Sequence, residues 1–475
     1  MILRDLTDLV AFYGDAERDW IALEQDGRTA TMRELARWMG SAAATLADGS
    51  DDVVAISTPD AIEHTVGFLG ALAAGRRPML VDPRHPDALL AEVVVRAGAT
   101  TTVGRELPGV ERRTFEELIQ RPPVTRVRVP GETTGSLLLT SGSTGVPKIV
   151  VRSRAADLAA AHNFRLERFP VAPGDRFWLS APFTGSPYPG VVWGCLLART
   201  TVVFAALPEE SIGEFLAEHR ITATFLGPTA TRLAYQRDGL EGPGWDQLRG
   251  VLSGGEKLDA PTADLMTRRW PGAVYLGYGM TEVSQISVAP EEVLRERPGS
   301  VGQPLPLHQA QIADFGSDEP VAVGEEGEIL VRGPDMFTGY LGEEAAGEWF
   351  RTGDLGRFDP DGYLYVTGRA SNIVQVGGNR VSTEEVAAVI RAHPEVANAA
   401  VIALDDSTWT TRLEAFVALR TQGAADAAAL DTWVRERLPA YKVPRAYRIL
   451  DELPTESAGK ISLRALHELA ARAPA

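Results

Sequence analysis

Apolar and polar positions come in blocks along the chain from Asp51 onward. Short runs rich in β-branched residues, Val53 to Ser57 and Met79 to Val81, are each followed by a longer stretch with helical spacing, Ala61 to Ala74 and Asp87 to Ala97. That alternation predicts strand, helix, strand, helix, and hence a parallel sheet with helices on its faces. The pattern resumes at Leu137 to Leu139 and continues through Phe177 to Ser180, Thr201 to Ala205, Ala223 to Leu226, Gly250 to Ser253 and Val274 to Leu276. Most of these runs end in Gly, Pro, Ser or Thr, which suits a ligand crevice at the carboxyl ends of the strands.

Around Pro298 the pattern changes. Glu328 to Arg332 and Tyr363 to Thr367 read as strands beside turn signals such as D-P-D-G at Asp359 to Gly362, and few helical stretches separate them, which predicts a β-rich subdomain. After Gly368 a smaller α+β unit begins. Its strands are Ile373 to Val376, Ala399 to Ala403 and Leu413 to Leu419, and its helices Thr383 to Arg391 and Asp426 to Leu438. The expected fold class is therefore α/β: a large N-terminal domain of doubly wound sheets with a β-rich subdomain, residues 1–369, and a small α+β C-terminal lid, residues 370–475. A chain of 475 residues is too long for one ordinary core, in keeping with at least two domains.

Charge narrows the partners. With 47 basic against 64 acidic residues the net charge is −17, which argues against a general affinity for nucleic acid or an anionic membrane. An anionic ligand would have to be met by locally placed Arg and Lys. Cys195 is the only cysteine, so an intramolecular disulfide and a cysteine-rich zinc site are both excluded, and the expected location is cytoplasmic. Met1 to Trp20 carries acidic residues and no long apolar run, so it reads as neither signal peptide nor membrane span. The seven histidines are scattered without an H-E-x-x-H pair and read as surface or core residues.

The apolar run Leu137 to Leu139 leads straight into T-S-G-S-T-G-V-P-K, Thr140 to Lys148. Thr140, Ser141, Ser143 and Thr144 supply hydroxyls, Gly142 and Gly145 let backbone N–H groups turn inward, and Lys148 adds positive charge, a composition suited to phosphate. It is not the ATPase P-loop G-x-x-x-x-G-K-[ST]. Counting from Gly142, Pro147 stands where the second glycine belongs and Ile149 where the magnesium-binding hydroxyl belongs. A serine hydrolase is excluded as well, since no serine has glycine two positions before it as G-x-S-x-G requires.

Further short motifs follow in order: S-G-G-E at Ser253 to Glu256, Y-G-M-T-E at Tyr278 to Glu282, G-E-I-L-V-R-G-P at Gly327 to Pro334 and R-T-G-D-L-G at Arg351 to Gly356. Then come G-R at Gly368 and Arg369, V-G-G-N-R-V at Val376 to Val381 and E-S-A-G-K-I at Glu456 to Ile461. Together with the glycine-rich loop this series resembles the adenylate-forming superfamily of acyl-CoA synthetases, stand-alone adenylation domains and luciferase-like ligases. The resemblance runs over nearly the whole chain. It implies ATP-dependent, Mg²⁺-dependent conversion of a carboxylic acid to acyl-AMP with release of pyrophosphate, then acyl transfer to CoA or a carrier-protein phosphopantetheine. Such a site must bring two anions together, so it needs positioned donors, a metal and a lysine.

By that resemblance Thr140 to Lys148 closes over the β- and γ-phosphates, Thr281 donates to the α-phosphate, and Glu282 is the Mg²⁺ ligand, a carboxylate oxygen suiting a hard cation. Gly254, Gly255 and Glu256 line the adenine edge, Tyr278 stacks on the ring with Gly279 beside it, Asp354 accepts the ribose hydroxyls and Arg369 assists at ribose or phosphate. Lys460 bridges the carboxylate and α-phosphate. The lid then swings about a hinge near Ala370 to Asn372 and brings Gly377 and Gly378 to the site for thiol transfer. Ser371 stands where the family's hinge usually carries Asp or Lys.

The acid is read from Pro182 to Val192, Phe225 to Thr229 and Leu276 to Gly279. Amino-acid-activating relatives use F-D-x-S, whose aspartate pairs with the α-ammonium, whereas this chain reads F-T-G-S at Phe183 to Ser186. Thr184 cannot neutralise an ammonium, and burying that cation unpaired costs several kcal/mol, roughly the penalty of a buried ion. An aryl or compact apolar acid is expected instead, in a pocket formed by Phe183, Tyr188, Trp193 and Phe225 with Gly277, although these aromatics fit a hydrophobic core equally well. The histidine that acyl-CoA synthetases often carry hereabouts, as P-L-F-H, is absent from P-F-T-G. The alternatives are a stand-alone amino-acid or β-amino-acid adenylation enzyme, or an amide synthetase that passes the acyl group to an amine.

Overall fold

The computed structural model describes residues 5–15, 19–47, 52–107, 109–124, 134–140, 147–166, 169–180, 187–208, 211–314, 316–370, 373–376, 379–406, 410–455 and 461–472. It divides into two compact units. The first comprises Met1–Gln311, Leu330–Phe350 and Phe358–Tyr365, and the second Ile312–Ile329, Arg351–Arg357 and Val366–Ala475.

The first unit contains two large sheets. The nine-stranded one runs in the order Gln303–Pro304, Ser287–Pro290, Val274–Tyr278, Gly250–Gly254, Ala223–Phe225, Arg176–Leu179, Thr201–Phe204, Ile21–Gln25, Arg28–Thr31. Its central strands, from Val274–Tyr278 to Ile21–Gln25, are parallel to one another, and antiparallel strands finish both edges. The seven-stranded sheet runs Gly339–Tyr340, Ile149–Ser153, Thr134–Leu139, Arg77–Leu80, Val53–Ser57, Thr101–Gly104, Glu111–Arg113. The last five of these are parallel, and the first two are antiparallel additions on one side.

The strands predicted from the β-branched runs lie where the alternation put them, within three residues at each end; Thr134–Leu139, for example, begins three residues before Leu137. The helix Ala61–Ala73 shows why the layers hold. Asp60 caps it by accepting from the N–H groups of Ile62 and Glu63, and every residue except Glu63 is buried. A helix apolar on all sides must lie inside the protein. Phe68, Leu69 and Leu72 join one core cluster with Ile56, Leu80 and Leu138 of the seven-stranded sheet and with Leu23, Phe177 and Val202 of the nine-stranded sheet. Separate clusters hold the outer helices on the far face of each sheet. The layering is helix, sheet, helix, sheet, helix.

A four-stranded sheet, Gln309–Ala313, Gly327–Arg332, Phe350–Phe358, Leu364–Arg369, forms the β-rich part anticipated after Pro298. Its strands contribute Ile312–Ile329, Arg351–Arg357 and the beginning of Val366–Ala475 to the second unit. The second unit also holds the hairpin Ile373–Val376 with Asn379–Ser382, and a sheet of Val396–Asp406, Thr410–Leu419 and Ala446–Leu450. Helices Thr383–Arg391 and Ala427–Arg435 share a core with that sheet through Val386, Ile390, Leu430 and Val434. The strand Ala446–Leu450 and the helix Leu463–Arg472 were not legible from alternation, because Arg445, Arg448 and Arg464 break up their apolar runs. Among the described residues no helix is long and apolar enough to cross a membrane.

Candidate active site

Three adjacent parallel strands carry candidate residues at their carboxyl ends. Ala223–Phe225, Gly250–Gly254 and Val274–Tyr278 lie side by side, with Gly254 level with Gly277. A Cβ on Gly254 would fall 2.7 Å from the Gly277 carbonyl oxygen, so the strands approach this closely only because glycine stands here. Gly255 follows at φ +78°, turning the chain so that Glu256 accepts from the Thr229 hydroxyl at 2.6 Å. Phe225 is half-buried, and its carbonyl accepts from Ser180 Oγ at 2.7 Å.

Past the half-buried Tyr278 the chain makes a tight loop. The Met280 N–H donates to the Val283 carbonyl at 3.1 Å, and the Ile286 N–H to the Tyr278 carbonyl at 2.8 Å. A Cβ on Gly279 would stand 2.0 Å from the Ser284 carbonyl oxygen, so this loop closes only around glycine. Its far side is fastened to the segment before Gly339: the Phe337 N–H donates to the Glu282 carbonyl at 2.7 Å, and Val283 bridges to Met336. Thr281 and Glu282 are thereby held at the end of a central strand, at the kind of position where open α/β sheets bind ligands.

Two buried polar groups support this loop. Asp157 accepts from Arg152 Nε at 2.8 Å, from Ser136 Oγ at 3.0 Å and from the Ser136 N–H at 3.1 Å, while the Arg152 guanidinium also donates to the carbonyls of Ala156 and Thr281 at 3.1 and 3.4 Å. Both side chains are almost wholly excluded from solvent, at 0% and 1% exposure. The second group centres on Asp335, which lies 2.5 Å from His308 Nε2 and accepts from Asn163 Nδ2 at 2.9 Å and from the Gln285 N–H at 3.4 Å. None of these six side chains stands in a motif that the sequence singled out. A buried charged residue has no one-dimensional signature, because its partner is brought by the fold.

The glycine-rich loop sits between the antiparallel strands Thr134–Leu139 and Ile149–Ser153. Its neck is closed by the Thr140 N–H donating to the Lys148 carbonyl at 3.0 Å. Ser141, Gly142, Ser143, Thr144 and Gly145 lie outside the described residues, as do Phe183, Thr184, Gly377, Gly378 and Lys460 and the hinge pair 371–372. Lys148 Nζ is 3.1 Å from Glu343 Oε1, both side chains about half exposed, and it lies 4.2 Å from the centroid of the Tyr340 ring. The Tyr340 hydroxyl in turn donates to Glu282 Oε1 at 2.7 Å. Burial and then the Glu282 hydrogen bond push the Tyr340 hydroxyl well above its ordinary pKa, so it is a proton donor throughout the working range. Tyr340 lies outside the G-E-I-L-V-R-G-P motif, which ends at Pro334; the G-Y pair at Gly339 and Tyr340, five residues further on, was the available signal.

Glu282 Oε2 makes no hydrogen bond to a described residue, and a hard cation shared with phosphates needs one such carboxylate oxygen. Among the described residues no group of three or more His, Cys, Asp or Glu side chains could hold a metal by itself. The site fits a cation held jointly by Glu282 and a phosphate ligand.

In the second unit Asp354, on Phe350–Phe358, and Arg369, closing Leu364–Arg369, are brought together, with Arg369 Nε 2.6 Å from Asp354 Oδ1. Asp354 is almost fully buried and its N–H donates to Thr352 Oγ1 at 3.0 Å, so its position is fixed by the strand.

The acid-pocket reading needs a correction at Trp193. The helix Pro187–Leu197 buries Val191, Val192, Trp193, Cys195 and Leu196 together, and Trp193 is 0% exposed with its ring 5.4 Å from that of Phe68. It is a core residue between the two sheets. Tyr188 belongs to the same helix, but its side chain lies outside the described residues. Phe225 and Gly277 stand at the carboxyl ends of two strands separated by Gly250–Gly254.

Residues 13–341 match the family described as AMP-binding enzyme, and residues 385–460 match its C-terminal domain. The 2-succinylbenzoate–CoA ligase of Bacillus licheniformis is 33% identical over 72% of this chain and 71% of its own. The 3-hydroxybenzoate–CoA ligase of Aromatoleum sp. is 31% identical over 80% of this chain and 73% of its own. Among solved structures, ATP-bound MatB from Rhodopseudomonas palustris superposes with a TM-score of 0.89, covering 98% of this chain and 99% of its own at 23% identity, a likeness of fold.

Proposed function

Because the chain belongs to the AMP-binding enzyme family, we propose that it is an AMP-forming acid–thiol ligase. It joins a carboxylic acid to the α-phosphate of ATP, releases pyrophosphate, and passes the acyl group from acyl-AMP to the thiol of CoA or of a carrier-protein phosphopantetheine. The observation that carries this reading is the Tyr278 to Glu282 loop at the end of a central parallel strand, with Glu282 linked through one side chain to Lys148 at the neck of the glycine-rich loop.

A carboxylate attacking a phosphate brings two anions together, and the chain's own groups offset that repulsion. Lys148 and the hydroxyls and N–H groups of residues 140–145 hold the β- and γ-phosphates. Thr281 donates to the α-phosphate, on a loop whose carbonyl is held by the buried Arg152. Glu282 would hold Mg²⁺, which when bound neutralises phosphate charge and favours pyrophosphate as leaving group. Tyr278 stacks on the adenine beside Gly254, Gly255, Glu256 and Gly279, Asp354 accepts the ribose hydroxyls, and Arg369 turns from its ion pair to the ribose or phosphate. Residues 370–475 act as a lid that delivers Lys460 to the carboxylate and α-phosphate in the first step and Gly377 and Gly378 to the thiol in the second.

The acid is aryl or compact and apolar. Thr184 offers no counter-charge for an α-ammonium, and two relatives similar over most of the chain are named for aryl acids. The single cysteine supports a cytoplasmic site of action. The test is pyrophosphate release with ATP and Mg²⁺ across aryl, fatty and α-amino acids without acceptor, followed by thioester formation with CoA. Best turnover with α-amino acids would overturn the acid assignment. Lys460→Ala is expected to cut acid-dependent pyrophosphate release by about 100- to 1000-fold while transfer from preformed acyl-AMP largely survives; equal loss of both steps would remove Lys460 from its assigned role.

A further inference from the structure

The strand Gly339–Tyr340 is the edge of the seven-stranded sheet, and its Tyr340 stands level with Val150, two residues after Lys148. Two strands in hydrogen-bonded register thus carry, side by side, the lysine at the neck of the glycine-rich loop and an aromatic ring for it to rest on. The ring is fixed from behind: Phe337 packs edge-on against it at 5.0 Å, and Phe350 against Phe337 at 4.9 Å. Its hydroxyl reaches across to Glu282 Oε1 at 2.7 Å, and its face lies 4.2 Å from Lys148 Nζ. A carboxylate fixed at one oxygen presents the other in a defined direction. A lysine ammonium lying over an aromatic face and held laterally by Glu343 is restrained without being buried.

We propose that Tyr340 is a positioning residue for nucleotide binding: its hydroxyl orients the Glu282 carboxylate toward the cation and its ring face aims the Lys148 ammonium, so one side chain sets the two charges that meet the triphosphate. The proposal rests on the reading of Glu282 as the cation-binding carboxylate. It follows that Tyr340 acts on Mg·ATP and not on AMP, which lacks the β- and γ-phosphates and needs no metal.

Tyr340→Phe keeps the ring and removes only the hydroxyl, so it separates orientation from packing. Titration calorimetry with ATP at a series of Mg²⁺ concentrations, in the absence of acid, gives the half-saturating Mg²⁺ and the ATP affinity without turnover; AMP titration and the unfolding midpoint are controls. Losing a hydrogen bond to a charged group weakens what it holds by about ten-fold. Tyr340→Phe is therefore expected to raise the half-saturating Mg²⁺ by about that factor, with AMP affinity and midpoint unchanged. In a Glu282→Gln background the same change should add little, because the carboxylate it orients is gone. Tyr340→Leu should weaken Mg·ATP further by removing the ring under Lys148.

An unchanged Mg²⁺ dependence in Tyr340→Phe, while Glu282→Gln shifts it, overturns the positioning role alone. An equal loss of AMP and Mg·ATP affinity in Tyr340→Phe overturns it too, since that is general distortion. If Glu282→Gln itself leaves the Mg²⁺ dependence unchanged, the assignment of Glu282 fails, and the role of Tyr340 fails with it.

Discussion

Replacing Asp157 by asparagine removes one charge from a pair that solvent does not reach. Arg152 and Asp157 are 0% and 1% exposed, and the carboxylate is the only acidic partner the guanidinium has among the described residues. The substituted amide retains a carbonyl oxygen for the Ser136 N–H, so the backbone is still served, but the Arg152 cation is left buried without a counter-charge. Breaking a buried pair in this way costs about 3–5 kcal/mol. Unfolding entropy is about 2.1 cal/mol/K per residue, which for a first unit of roughly 340 residues converts that cost to a fall of about 4–7 °C in its unfolding midpoint. Scanning calorimetry of the purified full-length protein reads this directly. The sharper test is the double variant Arg152→Met with Asp157→Asn, in which no charge remains to be compensated. It should recover most of the loss and leave a deficit of about 1 kcal/mol, since the carbonyls of Ala156 and Thr281 no longer receive donors. A single variant within about 1 °C of wild type, or a double variant as unstable as the single, would refute the uncompensated-charge argument.

Other outcomes follow from single features. Burial pushes the His64 pKa down to about 3, so the folded protein keeps it neutral where the unfolded chain protonates near pH 6.5; its contribution is whole above pH 6.5 and lost at about 1.4 kcal/mol per pH unit as pH falls towards 3. His64→Leu should therefore flatten the loss of stability between pH 7 and 5 by about 2 kcal/mol, measured by urea unfolding at both values, and a wild-type slope would contradict this. Gly279→Ala cannot be accommodated without moving the Ser284 carbonyl, so ATP binding should fall at least ten-fold, by calorimetry, with little change in the unfolding midpoint of the second unit. Glu343→Gln breaks an ion pair whose members are 50% and 52% exposed, and the unfolding free energy should shift by no more than about 1 kcal/mol.

How much of this was visible in one dimension differs between sheets and site. Most of the parallel strands of both large sheets showed as β-branched runs because they are covered on both faces, and Val53–Ser57, buried at every position, is the plainest case; the parallel strands Ile21–Gln25 and Thr101–Gly104 were not read as strands. The strands that finish the sheets did not show: Arg28–Thr31 and Glu111–Arg113 have exposed positions and no apolar run. At the site, Thr281, Glu282 and the strand-end glycines were legible because short motifs specify turns and close approaches. Tyr340, Arg152 and Asp335 were not, since each bonds a partner far off in sequence, Glu282, Thr281 and Asn163 respectively, and Asp157, five residues from Arg152, stands in no motif. Trp193 stayed open between pocket and core for a related reason: an aromatic residue gives the same signal in a pocket wall and in a core, and its full burial against Phe68 places it in the core.

The order of strands also constrains how the chain is made. Leu23 is level with Val202 in the nine-stranded sheet, so the strand Ile21–Gln25 leaves the ribosome without its parallel neighbour. At a synthesis rate of about 5–20 residues per second, that neighbour arrives roughly 10–40 s later. During that interval the helix Ala61–Ala73, apolar on every side, has only the earliest strands of the other sheet to cover it. The nascent protein therefore offers a long-lived adhesive surface, and its yield in a cell should depend on chaperone capacity during translation more than on the stability of the finished fold.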